Sequence, residues 1–175
     1  MSGVEHFVDP EHSLVITVCS GYVTKTDVVT SLTSLRKDPK FKPSFQQLIN
    51  LMQTAKLDLD FKDLVGIREV YDPFSIDSRR AVAARPEGIA FALARMYQAI
   101  VDTDRFEIFP SLLEAISWLG LEATILEAAI HRARHSSRDS VVTAGMTVLD
   151  LPADVPASFR PIRRKLKKAA GNRKS

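Results

Sequence analysis

The sequence predicts an α/β fold, a four- to five-stranded mixed β-sheet packed with four to five helices. Three observations predict it. β-rich runs alternate with helical patterns of ten to fifteen residues, the signature of a sheet covered by helices with some parallel pairing. The first two β-rich runs flank a short Pro-containing polar turn, which joins them as an antiparallel hairpin. Helix-starting residues recur in front of the periodic apolar segments. With 175 residues there is room for one domain with a sizeable core.

The hairpin comprises "EHFVD" and "SLVITVCSG" around Asp9-Pro10-Glu11-His12. Gly21 and Thr24 open the first helix, with Thr24 as N-cap and Asp27 near its positive end. Val28, Val29, Leu32 and Leu35 repeat at helical spacing, and Pro39 and Pro43 stop it. "FQQLINLM" is a strand with a near-continuous apolar end, which fits a central strand covered on both faces or one at a sheet edge near the core. A polar crossing follows, with Thr54 ending the strand. Asp60 then caps a helix with Asp63 in its first turn and Leu64, Val65, Ile67 and Val70 inward. The loop "YDPFSIDS" leads to the short strand "RRAVAA". Pro86 and Glu87 begin the next helix, whose Ile89, Phe91, Leu93, Met96, Tyr97 and Ile100 run nearly all round and predict thorough packing. "RFEIF" is a strand, and Ser111 to Glu114 spell a capping box before Leu112, Leu113, Ala115, Ile116 and Leu119, with Gly120 at the end. Beyond it, "EATILEAAIHRARH" reads as an amphipathic helix and "SVVTAGMTVLDL" as β-rich.

Charge divides the chain more sharply than composition does. Residues 1–156 carry 16 Lys/Arg against 21 Asp/Glu, whereas residues 157–175 carry 8 Lys/Arg and no acid. The basic character therefore belongs to the tail, and a nucleic-acid partner is not expected of the mildly acidic body. The first thirty residues lack a basic start followed by an apolar run, and no window approaches the roughly 18 apolar residues of a membrane span. The single cysteine, Cys19, lies in an apolar strand and has no partner for an internal disulfide, so a reducing cytoplasm is the expected location.

The order hairpin, helix, strand, helix, strand, helix, strand, helix resembles the STAS superfamily, and within it the SpoIIAA-like (STAS/SEC14-like) branch of small bacterial proteins. "GYVTKTDVVTSLTSLRKDPKF", "FQQLINLMQT" and "FEIFPSLLEAISWLGL" carry the likeness. The resemblance implies a STAS-like domain over residues 1–121; the change of pattern beyond Gly120 predicts a helical and β-rich extension over 122–156, and composition a flexible basic tail over 157–175. In anti-sigma-factor antagonists the helix start after the central strand bears Asp-Ser-Ser/Thr-Gly, with a phosphorylated hydroxyl. Here that stretch reads Asp60-Phe61-Lys62-Asp63, so no phosphoacceptor carries over, and Thr54 is the nearest hydroxyl. The SEC14-like side of the resemblance implies an apolar cleft for a nonpolar molecule.

The candidate chemistry is sparse. Asp60, Lys62, Tyr71, Phe74 and Arg79 form the candidate partner or cleft surface, as aromatics and arginines are common at interfaces. Glu127, His131 and His135 line one helix face at the spacing of metal ligands, but Arg132, Arg134 and Arg138 around them oppose a cation, so no metal is expected. In the tail, Arg160, Arg163, Arg164, Lys165, Lys167 and Lys168 oppose Phe159, Ile162 and Leu166, a pattern suited to anionic surfaces. No Gly-x-Ser-x-Gly elbow, phosphate loop or dinucleotide fingerprint is present. The expected function is thus a non-enzymatic cytoplasmic module, regulatory or scaffolding, that binds a protein without a phosphorylation switch and without a cofactor. The alternative is a SEC14-like carrier or sensor of a nonpolar small molecule, or peripheral contact with an anionic surface through the tail.

Overall fold

The computed structural model describes residues 3–125 and 127. Strands β1 (Gly3–Asp9) and β2 (Leu14–Thr24) form the hairpin, followed by helix α1 (Lys25–Lys37) and strand β3 (Gln46–Asp58). Helix α2 (Phe61–Gly66) runs into a π-helical segment, Ile67–Tyr71. Strand β4 (Arg80–Ala83), helix α3 (Ile89–Val101), strand β5 (Phe106–Phe109) and helix α4 (Leu112–Leu119) complete the order.

The five strands lie side by side in sequence order, β1 antiparallel to β2 and every later pair parallel. Parallel neighbours joined by right-handed crossovers stack all their connections on one face. Helices α1, α2 and α3 accordingly share one side. There Ala90, Ala94 and Val101 of α3 pack with Cys19, Val82 and Phe106 of the sheet. Leu35 of α1 joins Val15, Phe45 and Phe74 on the same side. The opposite face receives α4, whose Ala115, Ile116 and Leu119 meet Leu14, Ile16, Leu48, Ala81 and Ala83. Ala81 and Ala83, both fully buried, let α4 settle close to the middle of the sheet. Strand alternation thus sends Leu48 toward α4 and Ile49 and Leu51 toward α3.

The caps follow local chemistry. Thr24 and Asp27 form a complete capping box, as do Asp60 and Asp63. Gly120 closes α4 at φ 73°, a left-handed conformation that glycine adopts at no steric cost.

Several expectations are corrected. The polar crossing is strand: β3 continues to Asp58 because β2 continues beside it to Thr24, pairing Tyr22 with Lys56 and Thr24 with Asp58. Thr54 therefore lies inside the strand. Its hydroxyl donates to the Cys19 carbonyl at 3.1 Å. Helix α3 starts at Ile89, not Pro86, because Arg85 to Gly88 form a turn closed by the Gly88 N–H on the Arg85 carbonyl. Val70 faces solvent because α2 gives way to the π-helical segment, whose wider turn rotates the face. Leu113 and Ile89 are exposed as well, each at the first turn of its helix, outside the packed face. At Ser111 the Glu114 N–H reaches the serine oxygen, but the Glu114 carboxylate takes the serine hydroxyl instead of returning to the Ser111 backbone.

Candidate functional site

The alternation that fills the α4 side leaves space on the other. Thr17 and Cys19 of β2, Gln47, Ile49 and Leu51 of β3, Arg80 and Val82 of β4 and Phe106 of β5 all point to the face carrying α1, α2 and α3. There they line a partly open cavity of about 140 Å³. Leu32 of α1, Leu64 of α2 and Leu93 of α3 roof it. Its wall is almost wholly hydrocarbon except at one end.

That end is an ionic cluster of buried side chains. Arg80, at the first position of β4, has a side chain 4% exposed, and the Asp72 side chain is 2% exposed. Arg80 Nη1 donates to Asp72 Oδ2 at 2.8 Å. The same oxygen accepts the Tyr97 hydroxyl at 2.9 Å and Arg68 Nη1 at 3.3 Å. Asp72 Oδ1 takes the Phe74 N–H at 3.1 Å. A buried guanidinium is tolerated only when paired, and Asp72 supplies that pairing. The rings of Phe106 and Phe74 flank the Arg80 guanidinium, with centroids at 5.3 and 5.7 Å. Burial pushes the Tyr97 hydroxyl well above its usual range, the Asp72 charge adds to this, and Arg80 opposes it. Tyr97 therefore keeps its proton at neutral pH and serves as a hydrogen-bond donor to Asp72. Beside the cluster, Gln47 Nε2 donates to Thr17 Oγ1 at 3.0 Å, so this buried pair is satisfied internally.

The residues singled out from sequence do not form one surface. Asp60 and Lys62 are exposed at the start of α2, and the Asp60 carboxylate is engaged with the Asp63 N–H at 2.8 Å. Asp63 in turn meets Lys25 at 2.8 Å, tying α2 to α1. Tyr71 ends the π-helical segment, and its carbonyl accepts from Arg36 at 3.1 Å. Phe74 is buried, packed edge-on against Phe41, and lines the cavity. Arg79 lies apart from it. It stacks over Trp118 at 4.4 Å and donates to the Trp118 carbonyl, on the α4 side. Adjacent strand positions face opposite ways, so Arg80, not Arg79, belongs to the cavity. Glu127 is exposed; His131, His135 and the basic tail residues lie outside the described residues.

Two other places hold polar groups together. Asp9, Glu11 and His12 bring their ligand atoms within 4.8 Å of one another. Asp9 is already bound by the Glu11 and His12 N–H groups and by His12 Nδ1, the pattern of a side chain that stabilises its own turn. A second hollow, of about 270 Å³, lies between the middle of β3 and the start of α3, and its charged residues Arg85 and Glu87 are exposed. Cys19 is buried, and burial pushes its thiol up to about 12, leaving it protonated and unreactive.

The sequence concealed Asp72, Arg80 and Tyr97 as a group because they come from a loop, a strand and a helix. One signal was present. Two arginines opening the apolar strand "RRAVAA" must face opposite sides, so at least one had to enter a covered face.

No family model matches the chain, and no curated protein matches it. Among solved structures, the chain is similar to an uncharacterized protein from the DUF3478 family with a SpoIIAA-like fold, from Shewanella loihica. The two are 16% identical, the match covers 68% of this chain and 95% of that one, and the TM-score is 0.46. By its own topology the chain is a hairpin followed by three strands and four helices in alternation, the element order on which the resemblance was drawn.

Proposed function

We propose that the chain is a non-enzymatic binding module whose site is the cavity beneath α1, α2 and α3, and that it takes one small, mostly nonpolar molecule there. The observation that carries this is the volume and lining of the space. About 140 Å³ walled by Val4, Ile49, Leu51, Val82 and Leu93 is close to the roughly 150 Å³ apolar cavity known to hold benzene. A two-chain lipid would not fit in so small a space. The polar groups beside it favour binding over catalysis. Asp72 is saturated by donors, Tyr97 holds its proton, and the Cys19 thiol is not a nucleophile at neutral pH.

The alternative, protein binding by the Asp60 and Lys62 surface, has less support because the Asp60 carboxylate is engaged in its own helix cap. The two meet in a sensor. Helix α2 presents Leu64 to the cavity and Lys62 to solvent, so an occupant that shifts α2 alters the outer surface.

Thermal unfolding with and without toluene tests the site. Ligand that binds only the folded chain raises its melting temperature. Toluene is expected to raise that of the natural chain but not of Ala94→Phe, which fills the cavity from α3. No toluene effect on the natural chain, or an equal effect on both, would contradict the proposal.

A further inference from the structure

We infer that the molecule held in the cavity carries a single carboxylate, and that Arg80 receives it. The inference rests on the cavity being a binding site and adds the chemistry of its occupant. Two arginines, Arg68 and Arg80, share the one carboxylate of Asp72, and among the described residues no second carboxylate pairs with either. With Tyr97 protonated, the cluster holds one positive charge in excess. Arg68 is a quarter exposed and has water for a partner, whereas the Arg80 side chain is 4% exposed and lines the cavity. An arginine offers five N–H donors in a planar fork that matches a carboxylate; Asp72 occupies Nη1, and the Tyr97 hydroxyl oxygen also lies against the guanidinium.

Charge and size together define the ligand class. One surplus positive charge matches a monoanion, which favours a carboxylate over a phosphate monoester carrying about −1.5 to −2. The apolar wall requires a hydrocarbon body, and the cavity of about 140 Å³ limits that body to one aromatic ring or a short aliphatic chain. The occupant is thus a small aromatic or short-chain aliphatic monocarboxylate, lying with its head at Arg80 and its body along Ile49, Leu51 and Val82.

Benzoate and benzyl alcohol, nearly equal in shape, separate the head from the body. Binding of each to the full chain is followed by NMR on the methyl groups of Ile49, Leu51 and Val82, which reports on the cavity and not on the basic tail. Benzoate is expected to bind roughly tenfold tighter or more, the range of a hydrogen bond to a charged group. In Arg80→Met the preference for benzoate over benzyl alcohol should vanish, and Arg80→Lys should restore part of it. Equal affinity of the natural chain for the two compounds overturns the inference but leaves the apolar site standing. Binding of neither overturns the site reading as well. A benzoate preference that persists in Arg80→Met also overturns it. Should that variant not fold, the comparison on the natural chain decides.

Discussion

At Asp72, three donors converge on one carboxylate oxygen, and the two charged ones come from different elements. Removing the charge would leave Arg80 buried with no counter-ion. Breaking such a pair typically costs about 3–5 kcal/mol. Asp72→Asn is expected to lose stability in that range in urea denaturation, and a loss under about 1 kcal/mol would show that water compensates Arg80. His6 supplies a second prediction at this scale. Its Nδ1 lies 3.1 Å from the Ser31 hydroxyl, and burial lowers its pKa, against the opposing charge of Asp38. The unfolded chain therefore binds a proton first. Stability from this group is intact above the ordinary value of 6.5 and is lost as pH falls through it. His6→Gln is expected to flatten the decline in stability on acidification, measured by denaturation at a series of pH values; an unchanged slope would contradict it.

Among the elements, α1 stands on the Thr24 cap that was readable in the sequence and that Asp27 completes as a capping box, and Thr24→Ala is expected to cost about 1 kcal/mol, seen as a shifted urea midpoint at constant slope. Many local signals were legible, among them the hairpin, the caps at Thr24 and Asp60, the glycine stop at Gly120 and the strands around Leu48 and Val82, whereas the helix start read at Pro86 and the full capping box read at Ser111 were not formed. What was not legible depended on a neighbour. Residues 53–58 look like a polar crossing because their side chains are mostly exposed, yet they are strand because β2 runs alongside. The π-helical segment, which turns Val70 outward, is set by how α2 meets the sheet, and no single-residue propensity marks it. The same holds for the site. Phe74 and Tyr97 were noticed as aromatics, but only the fold brings them to Arg80 with Asp72. Grouping Arg79 with Phe74 in one candidate surface joined residues that lie on opposite faces of the sheet.

For the whole molecule, the sequential strand order explains why a cavity lies where it does. Three connections crowd one face, and α1, α2 and α3 roof the central strands at a distance set by leucines. On the other face a single described helix sits tightly against alanines. Thus the same sheet is close-packed on one side and hollow on the other, with one buried arginine at the edge of the hollow. The central claim is that this hollow binds a small molecule. Intermolecular NOEs between the ring protons of added toluene and the methyl groups of the full chain test it most directly. NOEs to Ile49, Leu51 and Val82 are predicted, with none to Leu48 or Ile116 across the sheet. NOEs confined to residues outside the cavity, or none at saturating toluene, would contradict the account.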